Sequence, residues 1–129
     1  PDQPPAGVKK TPKMLTPQDR VAQLMASDTL ELEALTYIRG RSISRQFIIV
    51  DEAQNLTPHE VKTVVSRAGE GSKVILTGDP YQIDNPYLDA SSNGLTYAAE
   101  RMKELPLHGH VTLSRSERSL LAAAAAKYL

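Results

Sequence analysis

Two adjacent carboxylates, Asp51 and Glu52, are the residues of this sequence best suited to chemistry. They directly follow an uninterrupted apolar run, residues 47–50, which is typical of a parallel-sheet strand buried on both faces. Ligands of such sheets bind beyond the carboxyl ends of the strands. There the first acid could hold a magnesium ion through water, while the second could orient or deprotonate an attacking water. The stretch therefore predicts a site for a metal-bound phosphate, and the alternative is a strand end with two solvated acids.

A second group of polar residues follows another short apolar run, residues 73–77. Thr77 ends this run and belongs to the group together with Gly78, Asp79 and Gln82, which follow it. If the two strands are neighbours, Gln82 would lie near Asp51 and could offer its amide to a terminal phosphate. Gly-Asp-Pro is also ordinary turn chemistry, so this group by itself predicts only a turn. Beside the acidic strand end we favour a phosphate sensor.

Two pairs of arginines form the third group. Arg39 and Arg41 lie in YIRGRS, and Arg115 and Arg118 lie in LSRSERS. An arginine in a loop or at a helix start can clamp a phosphate, reach into the site of a neighbouring subunit or bind a nucleic-acid backbone. A solvated surface position is the alternative for each of the four.

The elements that must position these groups alternate between helical and extended patterns. Thr16-Pro17 and the capping box Thr57–Glu60 are typical helix starts. Apolar spacing predicts further helices over 94–105 and 116–129, and strands within 30–38 and at 47–50, 73–77 and 110–113. This alternation predicts an α/β layered fold with a mainly parallel sheet.

Composition restricts the class of protein. Fifteen basic and fifteen acidic residues cancel, so any contact with nucleic acid would need a local patch. The absence of cysteine excludes thiol catalysis and fits a cytoplasmic location. No apolar run approaches the roughly twenty residues needed to cross a bilayer, so we expect no membrane contact. Residues 1–15 are rich in proline and predict a linker or truncated edge, whereas 16–129 would form the folded domain.

Long segments of the sequence resemble a known family. They are EALTYIRGRS, FIIVDEAQNLTPHEVKTVVSRAGEGSKVILTGDPYQIDNPYLD, SSNGLTYAAERM and GHVTLSRSERS. Over residues 21–129 they are similar to the C-terminal part of the P-loop ATPase domain of PhoH-like proteins, which are related to superfamily 1 helicases. The branch most similar carries this ATPase after an N-terminal PIN nuclease domain and acts on RNA. The resemblance implies a three-layer P-loop NTPase-like fold, ATP and magnesium as ligands, and a hexameric ring that handles RNA.

The resemblance also implies roles for single residues near the acidic strand end. Asp51 and Glu52 match the Walker B acids, so Asp51 would hold magnesium and Glu52 would activate water. Gln54 ends the same motif and would contact the nucleotide. The phosphate-sensing motif, also in contact with the nucleotide, is matched by Gly78, Asp79 and Gln82.

Basic residues receive roles from the same resemblance. Arg118 falls where the family carries an arginine near the nucleotide, and it would stabilise the charge that develops during hydrolysis. Arg39 and Arg41 fall where a ring-shaped hexamer could place a basic residue at a subunit junction or in its pore.

One part of the family's ATP site is absent from the sequence. The glycine-rich loop G-x-x-x-x-G-K-[ST], whose amides and lysine cradle the β and γ phosphates, does not occur. Gly71-Ser72-Lys73 has the reverse order and precedes a strand. We therefore expect a piece of a longer chain, whose missing first half carries the loop, and not a subunit that has lost it. By itself this piece would bind nucleotide poorly and be inactive.

Two other functions remain open at this point. A non-catalytic module could complete an oligomeric ring or bind RNA through its arginines. A metal-dependent nuclease could use Asp51, Glu52 and Asp79, although Gln82 and the arginines would then have no stated role.

Overall fold

The computed structural model describes residues 13–38 and 40–129. The chain divides into two compact units, one that ends at Ile38 and one that begins at residue 39. The first unit contains α1 (Pro17–Ala26) and a 3-10 turn (Leu35–Tyr37). The second contains β1 (Phe47–Val50), a 3-10 turn (Ala53–Asn55), α2 (Pro58–Val65), β2 (Lys73–Leu76), α3 (Gly94–Met102) and α4 (Leu120–Tyr128). None of the described helices is long and apolar enough to cross a membrane.

Helix α1 begins where the sequence predicts. The Thr16 hydroxyl accepts a hydrogen bond from Asp19 N at 3.1 Å, and the Asp19 carboxylate accepts one from Thr16 N at 2.9 Å. Pro17 occupies the first helical position, where its missing N–H costs nothing. The apolar side chains of Val21, Leu24 and Met25 are all more than 40% exposed within the described part of the chain.

The strand expected within residues 30–38 is wrong. Residues 31–34 form no regular structure, and Leu35–Tyr37 is a 3-10 turn. The backbone N–H groups of Thr29 and Leu30 both donate to Leu24 O, which folds the chain back onto the end of α1. The alternation of apolar and acidic residues over 30–34 is typical of a strand. A strand also requires a neighbouring strand with which to pair, and these residues have none in the described structure.

The sheet consists of β1 and β2, which are parallel neighbours. Phe47 is paired with Lys73 and Val50 with Leu76. An isolated parallel bridge between Ile43 and Ala68 lies ahead of this ladder. The predicted α/β fold with parallel strands is therefore confirmed, and both strands end at the same edge.

The two faces of this sheet differ in exposure. Side chains that are buried or half-buried form one face: Ile48, Val50, Val74 and Leu76. On the other face Phe47 is 72% exposed, Ile49 66% and Ile75 42%. The expectation that β1 is buried on both faces is therefore wrong for the described structure, because its elements cover only one of them.

The C-terminal segment departs from the prediction in a similar way. Residues 110–113 form no strand, and Val111 and Leu113 are 81% and 86% exposed. Helix α4 begins at Leu120 instead of residue 116, because the Ser119 hydroxyl caps it by accepting a hydrogen bond from Ala122 N at 3.1 Å. None of the residues of α4 is buried.

Helices α2 and α3 pack on each other through small and β-branched residues. The capping box at α2 is formed as predicted, with Thr57 Oγ1 accepting from Glu60 N and the Glu60 carboxylate accepting from Thr57 N, each at 3.1 Å. Val61 and Val64 are buried on α2, and Ala98 is buried on α3. This packing supports the turn that follows β1, which also contacts α3.

The loop before α3 is built around the Asp89 carboxylate. Its Oδ1 accepts hydrogen bonds from Ser91 Oγ, Ser91 N and Ser92 N, each at 2.8 Å. Asn93 is fully buried and caps α3, because its Oδ1 accepts from Thr96 N at 3.0 Å while its Nδ2 donates to Asp89 O at 2.9 Å. Bonds from Ser91 and then Ser92 lower the pKa of Asp89 from the ordinary 3.8 to about 2.

Acid should weaken this loop in a defined pH window. Because the pKa of Asp89 is lower in the folded chain than in the unfolded chain, its stabilisation is complete above about pH 4 and is lost as the pH falls towards 2. Asp89→Asn should flatten the pH dependence of amide exchange protection at residues 91–93 in this window. Ser91→Ala should raise the pKa of Asp89, measured by NMR titration of the carboxyl carbon. An unchanged pKa in Ser91→Ala would contradict this account.

Candidate functional site

Asp51 and Thr77 stand opposite each other just beyond the two strands. Thr77 Oγ1 donates to Asp51 Oδ1 at 2.8 Å, and Glu52 N donates to the same oxygen at 3.0 Å. The ladder continues past the strands, since Thr77 N donates to Val50 O at 3.0 Å and Ala53 N to Thr77 O at 2.9 Å. Asp51 Oδ2 receives no hydrogen bond from the described residues, so this oxygen remains available to a ligand.

Glu52 turns the chain sharply at the end of β1. Its backbone is left-handed, with φ 53° and ψ 38°, a conformation that costs a residue with a side chain roughly 1–2 kcal/mol. The turn then continues as the 3-10 segment, in which Asn55 N donates to Glu52 O at 3.0 Å. The Glu52 side chain is exposed. The left-handed turn thus presents a second carboxylate beside Asp51 without extending the strand.

Gln54 connects the turn after β1 to the loop after β2. Its side chain is fully buried. Nε2 donates to Glu52 Oε2 at 2.5 Å and to Gln82 O at 3.1 Å, while Oε1 accepts from Asp79 N at 3.3 Å. The amide therefore bridges the two strand ends from the inside.

Residues 78–82, where the sequence predicts a phosphate sensor, are called the sensor loop for that prediction. This loop is held by its own backbone and by Gln54. Asp79 Oδ1 accepts from Tyr81 N at 3.0 Å, and Asp79 O accepts from Gln82 N at 3.0 Å. Gly78 lies so close to Gln54 that a Cβ at this position would collide with Gln54 Oε1 and approach Leu95 Cδ2 to 3.1 Å. Glycine is thus required for the loop to reach the buried amide.

Two contacts of the site were not predicted from the sequence. Thr77 belongs to the second predicted group, but its hydrogen bond to Asp51 was not predicted, although counting onward from the two four-residue strands places the two residues opposite each other. The second is made by Asn55, whose Oδ1 accepts from Asp84 N at 2.7 Å and from Asn85 N at 3.3 Å. Asn55 thereby fixes the chain that leaves the sensor loop, and the sequence offers no signal for this contact.

The structure brings one set of the predicted site residues together. We call this set the strand-end site: Asp51, Glu52, Gln54, Gly78, Asp79 and Gln82. Both strand ends contribute to it, and hydrogen bonds join them directly. The Gln82 side chain is exposed, and its backbone oxygen holds Gln54.

The predicted arginines are placed differently. Arg118 lies in an exposed, irregular segment before α4, and among the described residues no hydrogen bond joins it to the strand-end site. Arg41 precedes β1, whereas Asp51 follows it, so the two lie at opposite ends of the strand. The prediction for Arg39 lies outside the described residues.

The side chains at the strand ends suit magnesium, which keeps water and phosphate ligands, better than they suit an ion whose ligands are all protein side chains. Among the described residues no group of three or more His, Cys, Asp or Glu side chains could hold a metal ion. Magnesium keeps several waters and takes one or two carboxylates together with substrate phosphates. Asp51 Oδ2 offers such a carboxylate oxygen, and the Thr77 hydroxyl fixes the other oxygen of the same group.

Comparisons with known proteins agree on one family. The family model described as PhoH-like protein matches residues 8–127. Protein PhoH2 of Bacillus subtilis strain 168 is 58% identical over 113 residues, which are 88% of this chain and 26% of that protein. Protein PhoH2 of Mycolicibacterium smegmatis is 46% identical over 101 residues, 78% of this chain and 23% of that protein. The chain thus spans about a quarter of the length of these curated relatives.

Proposed function

The chain belongs to the PhoH-like protein family, and on this premise we propose that it forms the magnesium-binding and phosphate-sensing part of an ATP-hydrolysing domain. Family membership indicates an ATPase-type, nucleotide-binding domain in general. The finer proposal, ATP hydrolysis assisted by magnesium, rests on one observation. The two parallel strands end at one edge, where Asp51, with one carboxylate oxygen that accepts no hydrogen bond from the described residues, lies beside Glu52 and the loop that carries Gln82.

The residues of the strand-end site other than Gln54 take the following roles in this proposal. Asp51 holds magnesium, directly or through water, with the carboxylate oxygen that Thr77 leaves uncommitted. Bound magnesium would neutralise charge on the phosphates of ATP. Glu52 accepts the proton of the attacking water, and the exposed Gln82 amide reports the terminal phosphate. Gly78 and Asp79 shape the loop that presents Gln82.

Binding the β and γ phosphates of ATP also requires a glycine-rich loop that this sequence does not contain. No G-x-x-x-x-G-K-[ST] segment occurs in the 129 residues, so in this proposal the amides and the lysine of such a loop come from another part of the full-length protein. We therefore propose that hydrolysis is a property of the full-length protein.

RNA action and ring assembly belong to the same proposal. Arg41 and Arg118 are exposed, and guanidinium groups suit phosphate backbones and subunit junctions. We propose that the full-length protein is a hexameric, RNA-acting ATPase in which Arg118 approaches the nucleotide and Arg39 and Arg41 face RNA or a neighbouring subunit. An RNA-stimulated rate of hydrolysis, lowered in Arg118→Ala, would support this extension.

Nucleotide titration of the full-length protein tests the core proposal. A fluorescent ATP analogue should bind more tightly with magnesium than without it. Asp51→Asn should reduce this magnesium-dependent gain in affinity by roughly tenfold or more, because it removes the negative charge that holds the ion, and even a hydrogen bond from a magnesium-bound water to this carboxylate contributes about 1.5–3 kcal/mol. The matched control is Asp28→Asn, an exposed acid in the first unit.

The outcomes of this titration separate the candidate functions. Equal binding with and without magnesium would remove the role of Asp51. Absence of nucleotide binding by the full-length protein would contradict the ATPase proposal and favour a non-catalytic module. Metal-dependent RNA cleavage that is lost in Asp51→Asn, without nucleotide binding, would instead indicate a nuclease.

A further inference from the structure

Gln54 differs from the rest of the strand-end site in its burial. Gln54 and Asn93 are the two buried polar side chains of the described chain, and each has 0% exposure. A buried amide is stable only when its donors and acceptor are satisfied. One orientation achieves this at Gln54, because the nitrogen faces two acceptor oxygens and the oxygen faces a backbone N–H. The opposite orientation would break all three hydrogen bonds.

This burial leaves Gln54 no surface on which to contact a nucleotide. The family resemblance implies such a contact, but both polar atoms of the side chain are engaged within the chain. Its influence on a ligand must therefore pass through its partners. Those partners are the Glu52 carboxylate on one side and the backbone of Asp79 and Gln82 on the other.

We propose that Gln54 is a positioning residue that holds the base and the sensor loop in one fixed relation, so that Glu52 and Gln82 move together. This inference rests on the proposed function of those two residues. Gln54 Nε2 occupies Glu52 Oε2, while Glu52 Oε1 has no donor among the described residues and is left for the attacking water. The same nitrogen donates to Gln82 O. A displacement of the sensor loop would therefore move Gln54 and, with it, the Glu52 carboxylate.

Gly78 supports this inference independently of the hydrogen bonds. A side chain at Gly78 would push against Gln54 Oε1, with Gln54 Cδ at 3.2 Å and Leu95 Cδ2 at 3.1 Å. The loop is thus packed directly onto the amide as well as bonded to it. Gly78→Ala should consequently disturb the position of Gln54 without changing either polar atom of that amide.

The first test replaces the amide by an apolar side chain of similar size in the full-length protein. Gln54→Leu should lower kcat about ten- to a hundredfold, the usual loss when the support of a reactive group is removed, while KM for ATP stays near that of the wild type. In nucleotide-free protein, amide exchange at Asp79 and Gln82 should become faster. The matched control is Asn93→Ala, which disrupts the other fully buried amide but should leave kcat of the folded protein unchanged.

The second test uses pH to restore the lost donor. Gln54→Glu keeps the shape of the side chain, but the charged form cannot donate to Glu52 and repels it. The protonated form can donate one hydrogen bond. The ratio of variant kcat to wild-type kcat, each divided by the folded fraction, should therefore rise as the pH falls, whereas a role in stability alone predicts a constant ratio. For Gly78→Ala the ratio of variant kcat to wild-type kcat should not change with pH, because this variant keeps the Gln54 side-chain amide, which does not titrate.

The results separate this inference from the proposed function. Wild-type hydrolysis with an undiminished kcat in Gln54→Leu would overturn the positioning role alone. A pH-independent ratio for Gln54→Glu would overturn it as well, and this profile decides the question if Gln54→Leu does not fold. A wild-type protein that hydrolyses no ATP would overturn the proposed function, and unchanged amide exchange in Gln54→Leu would still refute the link between turn and loop.

Discussion

Glu52→Gln in the full-length protein should lower kcat for ATP hydrolysis about 100- to 10,000-fold, the range associated with loss of a general base. Nucleotide affinity should persist, because the glutamine oxygen can still accept the hydrogen bond that Gln54 Nε2 donates to Glu52 Oε2. The geometry of the sensor loop is thereby kept, and only the ability to take a proton from water is removed. Steady-state hydrolysis and equilibrium binding of a fluorescent ATP analogue measure the two quantities separately.

A matched exposed acid provides the control for this substitution. Glu104→Gln removes the same charge from an exposed residue that follows α3, and it should leave both kcat and affinity unchanged. Undiminished hydrolysis in Glu52→Gln would remove the general-base role. Loss of binding together with hydrolysis would show that the charge of Glu52 serves the bound state and not the chemical step.

Gly94→Ala should destabilise the second unit by about 1–3 kcal/mol, the usual effect of overpacking. A Cβ there would collide with Val61 Cγ2 and would lie 2.8 Å from Thr57 O and 2.9 Å from Leu56 O. Backbone oxygens cannot withdraw as the end of a flexible side chain can. Gly94 N also donates to Leu56 O at 2.7 Å, so α3 and the start of α2 are locked in close approach.

Helix propensity predicts the opposite sign for this substitution. Gly94 is the first residue of α3, and alanine is the better helix former by about 1 kcal/mol inside a helix. Hydrogen exchange of the α3 amides in the full-length protein would report the opening free energy. Gly109→Ala is the control, because a Cβ added there would meet no heavy atom within 4 Å beyond the neighbouring residues, and it should change stability by less than about 0.5 kcal/mol. Increased protection of α3 in Gly94→Ala would be incompatible with the close approach.

The fold was predictable wherever local residues determine it. Thr57 and Glu60 satisfy each other's backbone donors irrespective of the rest of the chain, so the start of α2 follows directly from their spacing. The four apolar residues of β1 and the β-branched run of β2 indicate strands, and parallel pairing then brings Asp51 and the residues after Leu76 to one edge. The assembly of the strand-end site therefore follows from short-range patterns and one rule of topology.

The remaining features depend on partners distant in sequence. Gln54 contacts residues 25 and 28 positions further along the chain, and it reaches them because Glu52 adopts a left-handed backbone that no local signal indicates. The strand expected at 110–113 also shows that a local pattern cannot predict a feature that needs a distant partner. Its alternating pattern describes a preference, but pairing requires a neighbouring strand, which the described part of the chain does not supply for it.

The uncovered face of the β1–β2 sheet affects how the protein should be handled in the laboratory. Phe47, Ile49 and Ile75 are exposed on this face beside Lys73, whose ammonium lies 5.9 Å from the centre of the Phe47 ring, and exposed apolar side chains grouped in this way favour self-association in water. A solution of the 129-residue chain alone would tend to form oligomers and colloidal particles through this face. Such particles would hide the acidic strand ends and imitate a loss of ligand binding, so light scattering belongs beside every titration.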